Sequence, residues 1–224
     1  HDIGGHILLP GQKLDPELYT RWMQYGALSP IFRTHSTKNG LINKEIWEFR
    51  GVYFDAIYNA IKLRYSLEPY IYTMARKTYD SALALCRPLY YDYPDNENAY
   101  KFRDEYEFGD DILVAPIGEA SDSGVSTKEV WLPEGDDWYE WNTGTLLKGG
   151  QVLNRSFSID EYPLYVKAGS IIPMNADTVQ NLDGQPATVC LGVFPGATGH
   201  GQLYEDNGNN KDYEKKYSVT SYET

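Results

Sequence analysis

The sequence predicts a chain in two parts, an α/β segment followed by an all-β region. Residues 1–86 carry helix-start signals and apolar residues at helical spacing. From Arg87 onward, short apolar runs alternate with clusters of Gly, Pro, Asp and Asn, which is the pattern of strands joined by turns. We therefore expect helices first and an antiparallel β-sandwich after them.

Two helices are predicted in the first part. Asp15 followed by Pro16 is an N-cap with proline at the first helical position, and this helix is expected to end near Gly26. A longer helix is expected over about residues 51–80, with a kink at Pro69 because proline removes a helical hydrogen bond. The apolar stripe of this second helix consists of Phe54, Ile57, Tyr58, Ile61 and Tyr65.

The second part carries the strand signals. A strand over residues 169–173 is expected to end at Pro173, because proline cannot donate to a strand ladder. A further change near Asn175, followed by apolar runs at 188–193 and 203–206, predicts the start of a third unit. The other strong signals lie in residues 112–115, 129–132, 138–141 and 165–166, with a turn at 142–144.

The composition excludes several kinds of partner. The formal net charge is −12 and the pI is near 4.7, whereas nucleic-acid phosphates attract Lys and Arg, so nucleic-acid binding is not expected. No apolar run approaches the roughly 20 residues that span a bilayer, so no membrane partner is predicted. The two cysteines, Cys86 and Cys190, are too few for a disulfide framework or a zinc cluster.

Two polar clusters follow predicted strands of the first part. Asp2 and His6 flank a pair of glycines, which allows the backbone to bend sharply beside a ligand. Arg33 and His35 lie about thirty residues further along, after the first helix. Consecutive parallel strands of a barrel present their carboxyl ends on one face, where such barrels keep their active sites. We therefore expect the two clusters to share one pocket.

A set of motifs occurs in order along nearly the whole chain: HDIGG (1–5), ELY (17–19), RWMQYGALSP (21–30), FRTH (32–35), LRYSLEPYIY (63–72), RPL (87–89), FGD (108–110), LVAP (113–116), AGSIIP (168–173) and LYEDNG (203–208). These motifs resemble those of glycoside hydrolase family 31. The resemblance implies the C-terminal part of a (β/α)8 barrel followed by β-sandwich domains. The implied units are the last barrel strands and helices (1–86), a proximal sandwich (87–174) and the start of a distal sandwich (175–224).

The resemblance also implies roles for individual residues. The family's nucleophile and acid/base are Asp residues upstream of the motif at Asp2, so no catalytic residue is expected in this chain. Asp2 and His35 match positions that line the −1 sugar site, and Arg33 is interpreted as a partner that holds a carboxylate, with Asp2 as the candidate. His6 departs from the family, because many relatives carry an aromatic ring there. No metal ion and no organic cofactor are expected.

The resemblance predicts the C-terminal segment of a retaining, exo-acting α-glucosidase that acts on an oligosaccharide or α-glycoside. An α-xylosidase or α-galactosidase, transglycosylation, and a non-catalytic carbohydrate-binding or structural β-sandwich remain alternatives. The chain starts at His1 without a methionine, so we expect a piece of a longer polypeptide that needs its remaining N-terminal part as a partner. A homo-oligomer stays open, and no compartment is predicted.

An acidic loop near the end of the chain offers one weaker hypothesis. Residues 206–212 place oxygen ligands at alternate positions around a glycine, which suggests calcium, but the twelfth position of an EF-hand loop is here Tyr217. The alternative interpretation is an Asn-Gly hairpin turn at 207–208, which we prefer.

Overall fold

The computed structural model describes residues 2–7, 12–37, 43–176, 181 and 188–224. None of the described helices combines the length and the apolar character needed to cross a membrane. The helices are α1 Pro16–Ala27, α2 Val52–Ser66, α3 Glu68–Ser81 and α4 Asn98–Lys101, with 3₁₀ turns at Ile46–Glu48, Leu89–Tyr91 and Asp212–Glu214. The strands are β1 Cys86–Pro88, β2 Tyr106–Phe108, β3 Ile112–Val114, β4 Val125–Leu132, β5 Trp138–Glu140, β6 Leu146–Leu147, β7 Gln151–Ser158, β8 Leu164–Lys167, β9 Ile171–Asn175, β10 Val189–Val193, β11 His200–Asp206 and β12 Tyr217–Glu223.

The first predicted helix is confirmed as α1. The Asp15 carboxylate accepts hydrogen bonds from the backbone N–H groups of Glu17 and Leu18, at 2.9 and 3.2 Å. This cap satisfies two of the N–H groups that a helix leaves unpaired at its start. The buried face of α1 includes Tyr19 and Met23, which pack in one apolar cluster with Ile3, Phe49 and Ile57.

The second predicted helix is two helices, so the prediction of one kinked helix was wrong. The break falls at Leu67, and Pro69 lies at the start of α3. Proline is well tolerated there because its missing N–H would have no helical partner. The predicted stripe also needs correction, since Tyr58 is 48% exposed and the buried residues of α2 are Ala56, Ile57, Ala60 and Leu63.

A six-stranded antiparallel sheet forms the centre of the β region, in the order β1-β2-β3-β8-β5-β6. Both of its faces are buried, as the alternation along β3 shows. Ile112 and Val114 pack with Leu67 and Tyr70 from the helices. Leu113 packs on the other side with Trp131 from the two-stranded ribbon of β4 and β7. The predicted fold class, α/β followed by an all-β sandwich, is confirmed.

Strand β9 does not end at Pro173 as predicted but continues to Asn175. Among the described strands β9 pairs with β10 alone, and Pro173 lies opposite Leu191. Proline has no backbone N–H to donate. It is tolerated on an edge strand where its nitrogen faces away from the paired strand, because no ladder hydrogen bond is needed on that side. The predicted domain boundaries remain a prediction. The pairing of β9 with β10 spans the boundary that the sequence predicts at residue 175.

The Asn-Gly turn predicted at residues 207–208 is replaced by a longer connection. The pairing of strands β11 and β12 ends where Asp206 lies opposite Tyr217. Residues 207–216 join the two strands and include a 3₁₀ turn. Asp206 accepts hydrogen bonds from the Tyr72 hydroxyl at 2.7 Å and from the Gly208 N–H at 2.6 Å. This carboxylate therefore anchors the loop to α3.

A buried arginine joins α1 to the β4–β7 ribbon. The Arg21 guanidinium donates to the carbonyl oxygens of Glu161 at 2.6 Å and Ser158 at 3.0 Å, and to the Ser126 hydroxyl at 3.3 Å. Gln24, one turn later, donates to the Ile159 carbonyl at 2.7 Å. The planar guanidinium group has several N–H donors in fixed directions, so it suits such a set of carbonyl groups better than the ammonium group of a lysine does.

We predict that Arg21→Met destabilises the protein that carries this chain by about 2–4 kcal/mol, because it leaves several partly buried carbonyl groups without donors. Denaturant unfolding of the two proteins measures the difference. Arg103→Met is the matched control, since Arg103 is exposed and its replacement should change stability by less than about 0.5 kcal/mol. Equal stabilities of the two variants would contradict the role of Arg21.

Glu105 is a second buried ionisable residue, and only one of its two carboxyl oxygens has a hydrogen-bond partner among the described residues. Its side chain is 1% exposed, and Oε1 accepts a hydrogen bond from the Trp131 backbone N–H at 3.0 Å. Oε2 has no hydrogen-bond partner in the described part of the chain. Burial raises the pKa of Glu105 to about 8, although the Trp131 N–H and Lys128 act in the opposite direction. The carboxyl group is therefore protonated at neutral pH.

This raised pKa predicts a pH-dependent stability. Between about pH 4.5 and pH 8 the unfolded chain releases the Glu105 proton while the folded chain keeps it. The free energy of unfolding therefore falls as the pH rises through this range. We expect Glu105→Gln to match the wild type near pH 5 and to be more stable by a few kcal/mol near pH 9. Parallel curves of unfolding free energy against pH would refute this assignment.

Candidate functional site

The two predicted polar clusters lie on adjacent parallel segments. Ile3 and Thr34 form a parallel β-bridge. The Ile3 N–H donates to the Arg33 carbonyl at 3.1 Å, and the His35 N–H donates to the Ile3 carbonyl at 3.0 Å. These bonds bring the four predicted site residues together as two contacting pairs, one of Asp2 with Arg33 and one of His6 with His35.

Asp2 and Arg33 form an ion pair, with the guanidinium donating to Oδ1 of the carboxylate. The two side chains are 46% and 59% exposed. Desolvation raises the pKa of Asp2, but the hydrogen bond and the positive charge of Arg33 outweigh it, and the pKa is lowered overall. Such an exposed pair adds little to stability. Its effect is to hold an ionised carboxylate in one orientation.

His6 and His35 contact each other through their rings. Nδ1 of His6 lies 2.7 Å from Nε2 of His35, the ring centroids are 4.8 Å apart, and the two ring planes lie at 22° to each other. One nitrogen must donate and the other accept, so the two imidazoles share one proton between these atoms. The opposite nitrogen of each ring can then donate to or accept from a ligand.

The glycine pair bends the backbone beside these side chains, as predicted. Gly4 and Gly5 have φ values of +84° and +72°, in the left-handed region that glycine adopts most readily. A Cβ on Gly4 would lie 2.8 Å from Cε2 of Tyr19. A larger residue at position 4 would therefore push the Asp2 segment away from α1.

Lys44 is a site residue that sequence reasoning missed. Its ammonium group donates to the carbonyl oxygens of Gly5 and His35, so it ties the two segments together. The Lys44 carbonyl in turn accepts a bond from the Tyr19 hydroxyl at 2.8 Å. Burial lowers the pKa of Lys44. No sequence signal distinguishes it, because a lysine in a polar stretch ordinarily faces solvent.

The arrangement can bind a neutral, hydroxylated ligand. It offers a carboxylate acceptor, a guanidinium donor and two imidazoles that both donate and accept. Retaining glycoside hydrolysis needs two carboxyl groups about 5–5.5 Å apart. Asp2 is the single carboxylate among these four residues, so the group by itself does not supply such a pair.

Comparison with known proteins identifies relatives over most of the chain. An alpha-xylosidase from Saccharolobus solfataricus is 37% identical over 220 residues, which cover 97% of this chain and 29% of the relative. Alpha-glucosidase 2 from Bacillus thermoamyloliquefaciens is 33% identical, covering 96% of this chain and 26% of its own length. The crystal structure of an α-xylosidase from Xanthomonas citri superposes with a TM-score of 0.86 at 33% identity, over 99% of this chain and 25% of that chain.

The chain therefore spans between a quarter and a third of the length of these relatives. Two family models match it in order. The TIM-barrel domain of glycosyl hydrolases family 31 matches residues 1–74, and the C-terminal domain of the same family matches residues 82–172. Since the two matches cover most of the sequence, and cover the polar site as well as the central sheet, the chain belongs to glycoside hydrolase family 31.

Proposed function

We propose that the protein carrying this chain is a retaining, exo-acting α-glucosidase that cleaves a terminal α-linked sugar from an oligosaccharide or α-glycoside. Family membership supports the reaction class. The observation that carries the proposal is the pairing of Asp2 with Arg33 and of His6 with His35 on adjacent parallel segments. Four groups that can bind hydroxyls meet there at one place.

In this proposal Asp2 and His35 bind hydroxyl groups of the sugar at the −1 site. Because Arg33 contacts Oδ1 of Asp2, Oδ2 is the oxygen that can accept a sugar hydroxyl. His6 and Arg33 act as positioning residues that hold His35 and Asp2. Bonds that tighten as positive charge develops on the sugar ring at the transition state would favour catalysis as well as binding.

We further propose that the nucleophile and the acid/base are Asp residues on barrel segments that precede residue 1 in the whole protein. One carboxylate attacks the anomeric carbon and displaces the leaving group, which the other protonates; water then releases the sugar. The predicted division into barrel strands and helices (1–86), a proximal sandwich (87–174) and the start of a distal sandwich (175–224) belongs to the same proposal.

An α-xylosidase is the second candidate. The similarity to α-xylosidases from Saccharolobus solfataricus and Xanthomonas citri favours it. The two substrates differ by the CH₂OH group of the sugar, so the choice depends on whether the −1 site has room for that group. One missing or added carbon in a pocket changes specificity by roughly 10- to 200-fold, so the two activities are separable by kinetics.

Hydrolysis of p-nitrophenyl α-glucoside, α-xyloside and α-galactoside by the full-length protein tests the proposal. We expect turnover of the α-glucoside with net retention, which proton NMR of the released sugar detects directly. Preference for the α-xyloside would select the second candidate. Turnover of none of the three, by a folded full-length protein, would refute the proposed activity.

We expect Asp2→Asn in the full-length protein to lower kcat/KM by about 10- to 100-fold, because a hydrogen bond to a charged group contributes roughly 1.5–3 kcal/mol. Arg33→Met should also shift the acid limb of the pH profile to higher pH, since the arginine lowers the pKa of Asp2. Asp136→Asn, at an exposed carboxylate in the β region, is the control. Equal kinetics of Asp2→Asn and this control would remove Asp2 from the site.

A further inference from the structure

The two parallel segments of the candidate site pair regularly only at Ile3. This residue donates to the Arg33 carbonyl and accepts from the His35 N–H, as a residue of a parallel ladder does. A regular ladder would continue with a bond from the Gly5 N–H to the His35 carbonyl, and with one from the Thr37 N–H to the Gly5 carbonyl. Neither of these two bonds forms among the described residues.

The glycine pair causes this interruption. The Gly5 N–H turns back and donates to the Asp2 carbonyl at 2.9 Å, and the Thr37 N–H donates to the His6 carbonyl at 2.8 Å. The first segment therefore has one residue more than the second between matching bonds. This is a β-bulge, formed by Gly4 and Gly5 at positive φ. A bulge re-aims the side chains beside it, and the residue that follows this one is His6.

The bulge leaves the carbonyl groups of Gly5 and His35 without a backbone N–H donor in the described part of the chain. The Lys44 ammonium group donates to these same two carbonyls. Lys44 is only 5% exposed, and its stem packs across Gly4, where a Cβ would lie 2.9 Å from the Lys44 Cδ. Because an ammonium group has three N–H donors, one lysine can replace both of the missing ladder donors.

The bulge separates the two pairs of site residues. Asp2 and Arg33 pair on the regular side of the bulge, next to the Ile3 bridge. His6 lies beyond the bulge, so its contact with His35 depends on where the bulge is held. The bonds from Lys44 therefore bear on the histidine pair and not on the ion pair.

We infer that Lys44 is a positioning residue of the proposed glycosidase. Its ammonium group replaces the two ladder hydrogen bonds that the glycine bulge interrupts, and so it holds His6 against His35. This inference rests on the proposed function, in which His35 binds a sugar hydroxyl and His6 orients it. The role needs no exposed surface, since the lysine and both carbonyl groups lie within this chain.

A crystal structure of full-length Lys44→Met tests the geometry without any assumption about activity. We expect the distance from Nδ1 of His6 to Nε2 of His35 to exceed about 3.5 Å, beyond hydrogen-bonding range, while the ion pair of Asp2 is kept. Lys62→Met, at an exposed lysine of α2, is the matched control and should keep both pairs. An unchanged histidine contact in Lys44→Met would overturn the inference.

Lys44→Arg covers the case in which Lys44→Met does not fold. Its guanidinium group keeps several N–H donors, so we expect it to donate to the Gly5 and His35 carbonyls and to preserve the histidine contact. A crystal structure in which the guanidinium bonds to neither carbonyl, while His6 still contacts His35, would also overturn the inference.

Kinetics with the glycoside that the wild type prefers test the link to catalysis. We expect kcat of Lys44→Met to fall by about 10- to 100-fold, since a displacement of about 1 Å at a site can cost about 100-fold. KM should change much less, because bonds that tighten at the transition state act on kcat. Lys44→Arg should recover most of the lost rate, and Lys62→Met should match the wild type.

The outcomes separate this role from the proposed activity. Equal losses of kcat in Lys44→Arg and Lys44→Met, or a rise in KM alone, would overturn the positioning role while the wild type remains a glycosidase. A wild type that turns over no glycoside would refute the proposed function, and the crystal structures would then decide whether Lys44 holds the histidine pair.

Discussion

The burial of both faces of the six-stranded sheet is the constraint on which the rest of the structure depends. Strand β3 shows it most directly, because Ile112 and Val114 face the helices while Leu113 faces the β4–β7 ribbon. A sheet with two apolar faces needs a layer on each side. The helices and the ribbon supply those layers, and the buried Arg21 side chain ties α1 to the end of the ribbon through partly buried hydrogen bonds.

The candidate site lies above a separate apolar cluster. Ile3 is buried in that cluster with Tyr19 and Met23, so the segment that carries Asp2 is fixed by packing against α1. Lys44 then joins this segment to the one that carries His35. The polar side chains themselves are largely exposed and add little to stability. Packing positions the site, which leaves its polar groups available for a ligand.

Much of the fold follows from local sequence, for stated physical reasons. The Asp15 cap and Pro16 determine where α1 begins, and the alternation of apolar runs with turn residues determines the strands. The errors fall where tertiary context decides. Whether a proline kinks a helix, begins a new one or sits on a strand edge depends on the neighbours of its backbone, as Pro69 and Pro173 show.

The sequence by itself determined the family resemblance, the fold class and the four polar residues that the structure brings together, because motif order and residue chemistry are local properties. Only the tertiary structure decided which of those residues touch and that Lys44 joins their segments. Contacts between residues distant in the chain depend on how the helices and strands pack, and a single sequence carries no direct record of that packing.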